Sequence, residues 1–152
     1  MLPGVYILVI RGGPATLTVG ALGERFFPSG YYCYVGSALG PGGLSRVRRH
    51  IRCAGSHDAS PRWHIDYLLT HPGFSLVQAW CAPTPDRVEC SLAAAVPLPP
   101  VPRFGSSDCH CTGHLFFSPA DPANIIREAF GAVSLRPRCH DCTLPGHGRK
   151  PG

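Results

Sequence analysis

Two tyrosine tripeptides and an arginine–histidine pair are the first residues whose types and spacing suggest chemistry. Gly4-Val5-Tyr6 and Tyr34-Val35-Gly36 each place a phenol near a glycine, although each alone is the ordinary pattern of a half-buried strand. Arg46 and His50 are four residues apart, so both project from one side of a helix. Phenol, guanidinium and imidazole groups can move protons and hold negative charge, as phosphodiester hydrolysis requires.

A later glutamate adds a carboxylate that can hold a metal ion. Glu89 lies in the first turns of a helix predicted over residues 86–96, with Asp86 as its candidate N-cap. Mg²⁺ or Mn²⁺ can bind through one carboxylate while waters and phosphate oxygens complete its coordination, so we expect one ion. Two alternatives stay open: Glu89 can be a first-turn carboxylate that interacts with the helix dipole, and Arg46 and His50 can belong to a solvated helix face.

Taken together, these motifs resemble, in order and interval, the successive motifs of the GIY-YIG nuclease superfamily. The matching segments are Gly4-Val5-Tyr6, Tyr34-Val35-Gly36, Arg46-Val47-x-x-His50 and Glu89-x-x-Leu92. Within the superfamily the chain is most similar to the compact Uri-type endonuclease family, which is also seen fused to endonuclease III. The likeness extends from Gly4 to about residue 117, and the segments that carry it are residues 31–38, 40–44, 63–69, 89–93 and 104–109.

The resemblance implies a fold, an activity and a role for five side chains. The implied fold is α+β, a three-stranded antiparallel sheet flanked by helices, with Tyr6, Tyr34, Arg46, His50 and Glu89 on one concave surface. The implied activity is divalent-metal-dependent hydrolysis of phosphodiester bonds by an endonuclease of DNA repair or processing. Tyr34 is expected as the general base, helped by nearby positive charge or a hydrogen bond from Tyr6. Arg46 is expected on the phosphate, Glu89 on the metal, and His50 on a proton or the phosphate.

Weaker signals surround this set. The further candidates for substrate binding are Arg48, Arg49, His64, Ser106, Ser107 and Asp108. Two close pairs of thiols, Cys109-x-Cys111 and Cys139-x-x-Cys142, could together bind a structural Zn²⁺. The first pair is tighter than the usual finger spacing and the second lies beyond the resemblance, and both facts disfavour zinc.

The charge of the chain suits a polyanionic partner. The net charge is +5, and 13 of the 14 basic residues are arginines, whose planar fork matches phosphate oxygens. We expect DNA, single-stranded or structured, as the partner, while RNA and the oligomeric state stay open. No aromatic-rich stacking platform is evident, which favours recognition of backbone or structure. With neither a signal peptide nor a membrane-spanning apolar run, a cytoplasmic location without membrane contact is expected.

The elements that must position these residues are predicted from short apolar runs. Residues 5–10 and 15–19 are predicted as a hairpin, 25–28 as an edge piece, 31–36 and 74–81 as strands, and 44–51 and 63–69 as helices. The predicted parts are a nuclease-like domain over residues 1–118, a short helical extension over 119–135 and a Cys/His/Pro/Gly-rich tail over 136–152, for which disorder is one expectation. Two rival functions stay open: a non-catalytic nucleic-acid-binding module and a zinc-stabilised interaction protein.

Overall fold

The fold is α+β, as the sequence predicts. In a computed structural model the protein is described over residues 2–55, 63–105 and 113–142. Along the chain the elements are β1 (Gly4–Gly12), β2 (Ala15–Thr18), β3 (Glu24–Phe27), β4 (Gly30–Ala38), α1 (Ser45–Gly55), α2 (His64–Leu69), β5 (Phe74–Pro83), α3 (Glu89–Ala94), β6 (Leu115–Ser118), α4 (Ala123–Ala132) and β7 (Arg138–Asp141).

The main sheet has five strands in the order β6-β4-β1-β5-β7, and each neighbouring pair is antiparallel. The expectation of a three-stranded sheet is therefore wrong. Its three long strands of nine or ten residues form the centre, and two strands of four residues extend the edges.

The outermost strand β7 lies within the tail predicted over residues 136–152. Its residues are exposed or nearly so and carry no apolar alternation, so no periodicity marks it as a strand.

The predicted hairpin between residues 5–10 and 15–19 is also wrong. Strand β1 pairs with β4 on one side and β5 on the other, and β2 pairs instead with β3 in a separate two-stranded ladder. The burial of β1 explains this: residues 4–10 are all buried, as in a central strand that has a layer on each face. Both edges of β1 are occupied, so β2 must pair elsewhere.

Helices cover both faces of the sheet, and the alternation of side chains along β1 connects the two layers. On one face Tyr6, Leu8 and Ile10 pack with apolar residues of α1 and α2. On the other face Val5, Ile7 and Val9 pack with apolar residues of α3 and α4. Each fully buried aliphatic side chain of this kind contributes roughly 1.5–3 kcal/mol. The strand that carries the first tyrosine is therefore held from both sides.

Helix α3 begins later than predicted. Its N-cap is Val88, which offers no capping side chain, whereas Asp86 was the expected cap. The backbone N–H of Asp86 donates to the hydroxyl of Thr84 at 3.1 Å, so a Thr84 turn takes the place of the first predicted helical turn. Glu89 is consequently the first residue of the helix. Among the described segments, no helix is long and apolar enough to cross a membrane.

Candidate active site

A cavity of about 250 Å³ opens on the α1 side of the sheet and collects all five residues that the motifs single out. Its walls contain Tyr6, Tyr34, Arg46, His50 and Glu89, together with Gly36, Ser37, Trp63, His64 and Gly105. The phenols come from the central strands β1 and β4, the cation and imidazole from α1, and the carboxylate from the start of α3. These five residues, which lie up to 83 positions apart in sequence, thus share one small volume.

The packing of Tyr6 explains why the second tyrosine motif ends in a glycine. Gly36 lies directly across from Tyr6 in the β1–β4 ladder. A Cβ atom added at position 36 would overlap the Tyr6 ring. The missing side chain therefore lets the Tyr6 ring pack directly against β4 at the cavity.

Tyr6 and His50 form a hydrogen-bonded pair in the floor of the cavity. The Tyr6 hydroxyl lies 2.8 Å from His50 Nε2, and the two residues are 2% and 1% exposed. Burial raises the pKa of Tyr6 well above its usual value, and the neighbouring Tyr34 phenol raises it further. Burial lowers the pKa of His50 to about 4, so this imidazole is neutral at neutral pH. The expected hydrogen bond of Tyr6 to Tyr34 is thus replaced by one to His50.

The buried His50 retains unused hydrogen-bonding capacity. Among the described residues, its Nδ1 atom is buried without a hydrogen-bond partner. A buried ring nitrogen that lacks a partner costs free energy, and such atoms are often found at functional sites. A neutral imidazole also has one nitrogen that can accept a proton.

Tyr34 lies beside this pair and lines the same cavity as the carboxylate of Glu89. Its ring meets the His50 ring edge-on at 6.4 Å and the Phe104 ring at 6.3 Å. Burial raises the pKa of Tyr34, and the charge of Glu89 raises it further, whereas the Arg46 guanidinium lowers it. Positive charge is therefore the influence that would help this phenol to ionise.

Arg46 is held at the cavity wall by two contacts. Its Nη1 donates to the backbone carbonyl of Ser37 at 2.9 Å, and its guanidinium lies 5.4 Å from the centre of the Trp63 ring. Arg48, two residues along α1, is exposed to solvent. Arg46 is thus the arginine of this pair whose guanidinium faces the cavity.

Arg49 serves the architecture of the site. Its guanidinium pairs with both carboxylate oxygens of Asp66 at 3.3 and 3.2 Å, and Asp66 is fully buried. It also lies 4.2 Å from the centre of the Trp63 ring. The ion pair ties α1 to α2, so this predicted substrate-binding residue has a structural partner in the described residues.

His114 is a site residue that the motifs miss. Its Nδ1 lies 2.8 Å from Glu89 Oε2, and its side chain is 2% exposed. An ionised carboxylate only accepts hydrogen bonds, so the imidazole Nδ1–H must be the donor. In the sequence this histidine follows the candidate zinc ligands Cys109 and Cys111, and no spacing indicates a contact with Glu89.

Glu89 fits a hydrated divalent ion. Its side chain remains 30% exposed while His114 fixes one oxygen. Among the described residues, no group of three histidine, cysteine or acidic side chains could hold a metal. Mg²⁺ and Mn²⁺ keep several waters and often bind one protein carboxylate together with phosphate oxygens, which this single carboxylate permits.

The remaining predicted residues lie partly beyond the described chain. His64 Nδ1 accepts the backbone N–H of Gly105 at 2.9 Å, so this histidine supports the turn that forms one wall. Burial lowers the pKa of His64. Cys139 lies in β7 and Cys142 directly after it. The other predicted positions, outside the described residues, are Ser106, Ser107, Asp108, Cys109 and Cys111.

The neutral state of His50 predicts a pH-dependent stability. The unfolded chain gains a proton on this histidine near pH ~6.5, whereas the folded chain gains it only near pH 4. The free energy of unfolding therefore falls as the pH drops between these values, by about 2 kcal/mol from pH ~7.5 to pH ~5. Denaturant unfolding of His50→Gln should lack this part of the decline. His64 contributes in the same direction in both proteins, and equal pH profiles for the two would contradict the prediction.

Comparison with known proteins gives one match. The model of a family described as "Domain of unknown function DUF123" matches residues 5–135, a range that contains all five motif residues. No curated protein matches the chain, and no solved structure does.

Proposed function

We propose that this chain, which belongs to the DUF123 family, is a divalent-metal-dependent nuclease that hydrolyses DNA phosphodiester bonds. The family description assigns no activity, so the proposal rests on the residues of the site. The observation that carries this proposal is the convergence of two phenols, a neutral imidazole, a guanidinium and a carboxylate on one cavity. The resemblance of their motifs to those of the GIY-YIG nucleases supports it as well.

In the proposed reaction, a water molecule attacks the phosphorus and the bond to the leaving oxygen breaks. Tyr34 first releases its own proton to solvent, and the positive charge of Arg46 favours this ionisation. The resulting phenolate takes the proton of the attacking water, and the leaving oxygen takes a proton from solvent. Arg46 also binds the phosphate and stabilises the extra negative charge of the transition state. Glu89 would hold the divalent ion, which would supply Lewis-acid charge to the reaction.

The Tyr6–His50 pair has a separate part in this proposal. His50 is neutral, so a ring nitrogen can accept the hydrogen bond of the Tyr6 hydroxyl at 2.8 Å without taking its proton. This hydrogen bond and the contact of the Tyr6 ring with Gly36 position the phenol in the wall of the cavity, where its hydroxyl can contact the substrate. Burial raises the pKa of both Tyr6 and Tyr34, so each phenol is protonated before the reaction and needs nearby positive charge to ionise.

The exposed arginines of α1 suit the backbone of a nucleic acid. Arg48 and Arg52 are exposed on α1, the helix that also carries Arg46. Arginines on one helix can contact successive phosphates without reading bases. The partner we propose is therefore DNA, single-stranded or structured.

The contact between His114 and Glu89 gives a prediction on metal binding. His114→Leu removes the donor, so we expect the Mn²⁺ dissociation constant and the Mn²⁺ concentration for half-maximal cleavage to rise by about 10- to 100-fold. His114→Asn can place an amide donor near the position of Nδ1 and should recover most of this loss. Mn²⁺ binding is measured by the loss of the free-ion paramagnetic resonance signal. Equal Mn²⁺ affinities in wild type and His114→Leu would contradict the positioning role.

One experiment separates cleavage from mere binding. Purified protein is incubated with end-labelled single-stranded, duplex and branched DNA, and with RNA, in Mg²⁺, Mn²⁺ or EDTA. We expect shortened products from at least one DNA form with either ion and none in EDTA. Binding of DNA without cleavage under every condition would favour the non-catalytic module instead.

A further inference from the structure

Trp63 is a large aromatic side chain that stays open to solvent at the wall of the cavity. It is 38% exposed, whereas Trp80, the other tryptophan of the chain, is 3% exposed. Trp63 lines the same volume as Tyr34 and Arg46. The proposed chemistry uses no group of Trp63, so its exposure is not explained by proton transfer or metal binding.

The exposure does not come from a loose attachment. The backbone N–H of Trp63 donates to Asp66 Oδ2 at 3.1 Å, where Trp63 forms the N-cap of α2. Asp66 is fully buried and held by the two bonds from Arg49. The His50 ring also lies 5.7 Å from the Trp63 ring. The indole is therefore fixed in place beside the cavity.

The charges around the ring match the parts of a nucleotide. The guanidinium groups of Arg49 and Arg46 lie 4.2 and 5.4 Å from the centre of the Trp63 ring. Arg49 is already paired with Asp66, whereas Arg46 makes its hydrogen bond to the neutral carbonyl of Ser37. A flat aromatic surface next to an arginine that faces the cavity suits a base stacked beside its own phosphate.

We propose that Trp63 stacks on an unpaired nucleobase next to the phosphate bound in the cavity, and thereby selects single-stranded segments of DNA. In a duplex both faces of a base are covered by its neighbours, so a base can stack on Trp63 only where the strand is unpaired. This inference rests on the proposed function for the position of the phosphate, and it narrows the substrate class to unpaired strand.

The two tryptophans allow a direct test in EDTA, where binding is measured without cleavage. The protein Trp80→Phe retains Trp63 as its single tryptophan and reports on it by fluorescence. An oligothymidylate of about eight nucleotides should quench this emission, whereas an abasic strand of equal length and a blunt duplex should quench it much less. Equal quenching by the thymidylate and the abasic strand would overturn the proposal.

Affinity provides a second readout that does not depend on the Trp80 variant. Trp63→Ala should weaken binding of the oligothymidylate by about 10-fold or more and binding of the abasic strand much less, since the abasic strand loses only the support that the indole gives to Arg46. Trp63→Phe keeps an aromatic ring at this position and should retain most of the affinity. Thermal unfolding checks that each variant is folded. Equal affinity of folded wild type and Trp63→Ala for the thymidylate would overturn stacking, whether or not the protein cuts DNA. Absence of cleavage by a protein that passes both tests would contradict only the nuclease.

Discussion

Replacement of Glu89 by glutamine is expected to lower the rate of DNA cleavage by about a thousandfold or more and to leave DNA binding nearly unchanged. Glutamine has almost the same shape, and its amide oxygen can still accept the hydrogen bond that His114 now donates. The neutral amide is, however, a poor ligand for a hard divalent ion. Initial rates in Mn²⁺ and fluorescence anisotropy with a labelled strand measure the two effects separately.

The matched control for this change is Glu128→Gln. Glu128 is an exposed glutamate of α4 and does not line the cavity. Its replacement by glutamine changes the net charge by the same amount as Glu89→Gln. We expect cleavage by this variant to stay within about twofold of wild type, since surface changes of this kind have small effects. Undiminished cutting by Glu89→Gln in Mg²⁺ would exclude the assigned role of this carboxylate.

Replacement of Arg46 by alanine is the second large effect, with kcat expected to fall by about a hundred- to a thousandfold. The guanidinium is held by Ser37 and Trp63 at the cavity wall, so it can meet the developing charge without prior rearrangement. Single-turnover cleavage with excess protein measures the chemical step. Arg46→Lys should recover only part of the rate because lysine keeps the charge but lacks the planar fork.

Arg48→Ala is the control for the arginine prediction. Arg48 is exposed on the same helix, two residues from Arg46. Its removal should weaken binding slightly and reduce the salt dependence of binding, with kcat unchanged. If Arg46→Ala and Arg48→Ala reduced kcat equally, the special position of Arg46 would be refuted.

The central parts of the fold could be predicted because their patterns are local. The apolar patterns of residues 5–10 and 44–51 indicate one strand and one helix without any tertiary information. The motif residues can line one cavity because the strands and helices that carry them pack in layers around common cores. The grouping of five distant residues nevertheless depended on the resemblance, since spacing alone does not fix which strands pair.

The features that the sequence did not reveal depend on long-range contacts. The contact of His114 with Glu89 joins residues 25 positions apart, and no sequence motif indicates it. Trp63 has the apolar character of a core residue, and only the packed structure shows that 38% of it stays exposed. Arg49 looks like a free cation in the sequence, but Asp66 pairs with it from the next helix. Edge strand β7 lacks any apolar signal and is defined by its partner β5.

Two of the four cysteines of the zinc hypothesis lie at one edge of the main sheet. Cys139 lies in β7 opposite Trp80, and Cys142 follows that strand. The other two cysteines of the hypothesis, Cys109 and Cys111, fall outside the described residues. Zinc analysis of the purified chain, together with its unfolding in a chelator, decides whether these four thiols bind a metal.

The most direct measurement of the central claim follows one end-labelled single strand during incubation with the purified chain, in parallel samples that contain Mn²⁺ or EDTA. The account predicts that shorter labelled strands accumulate in Mn²⁺, that EDTA stops their formation, and that renewed excess Mn²⁺ restores it. A strand that stays intact in Mn²⁺ while the folded protein binds it, or that is cut equally well in EDTA, would contradict a metal-dependent nuclease.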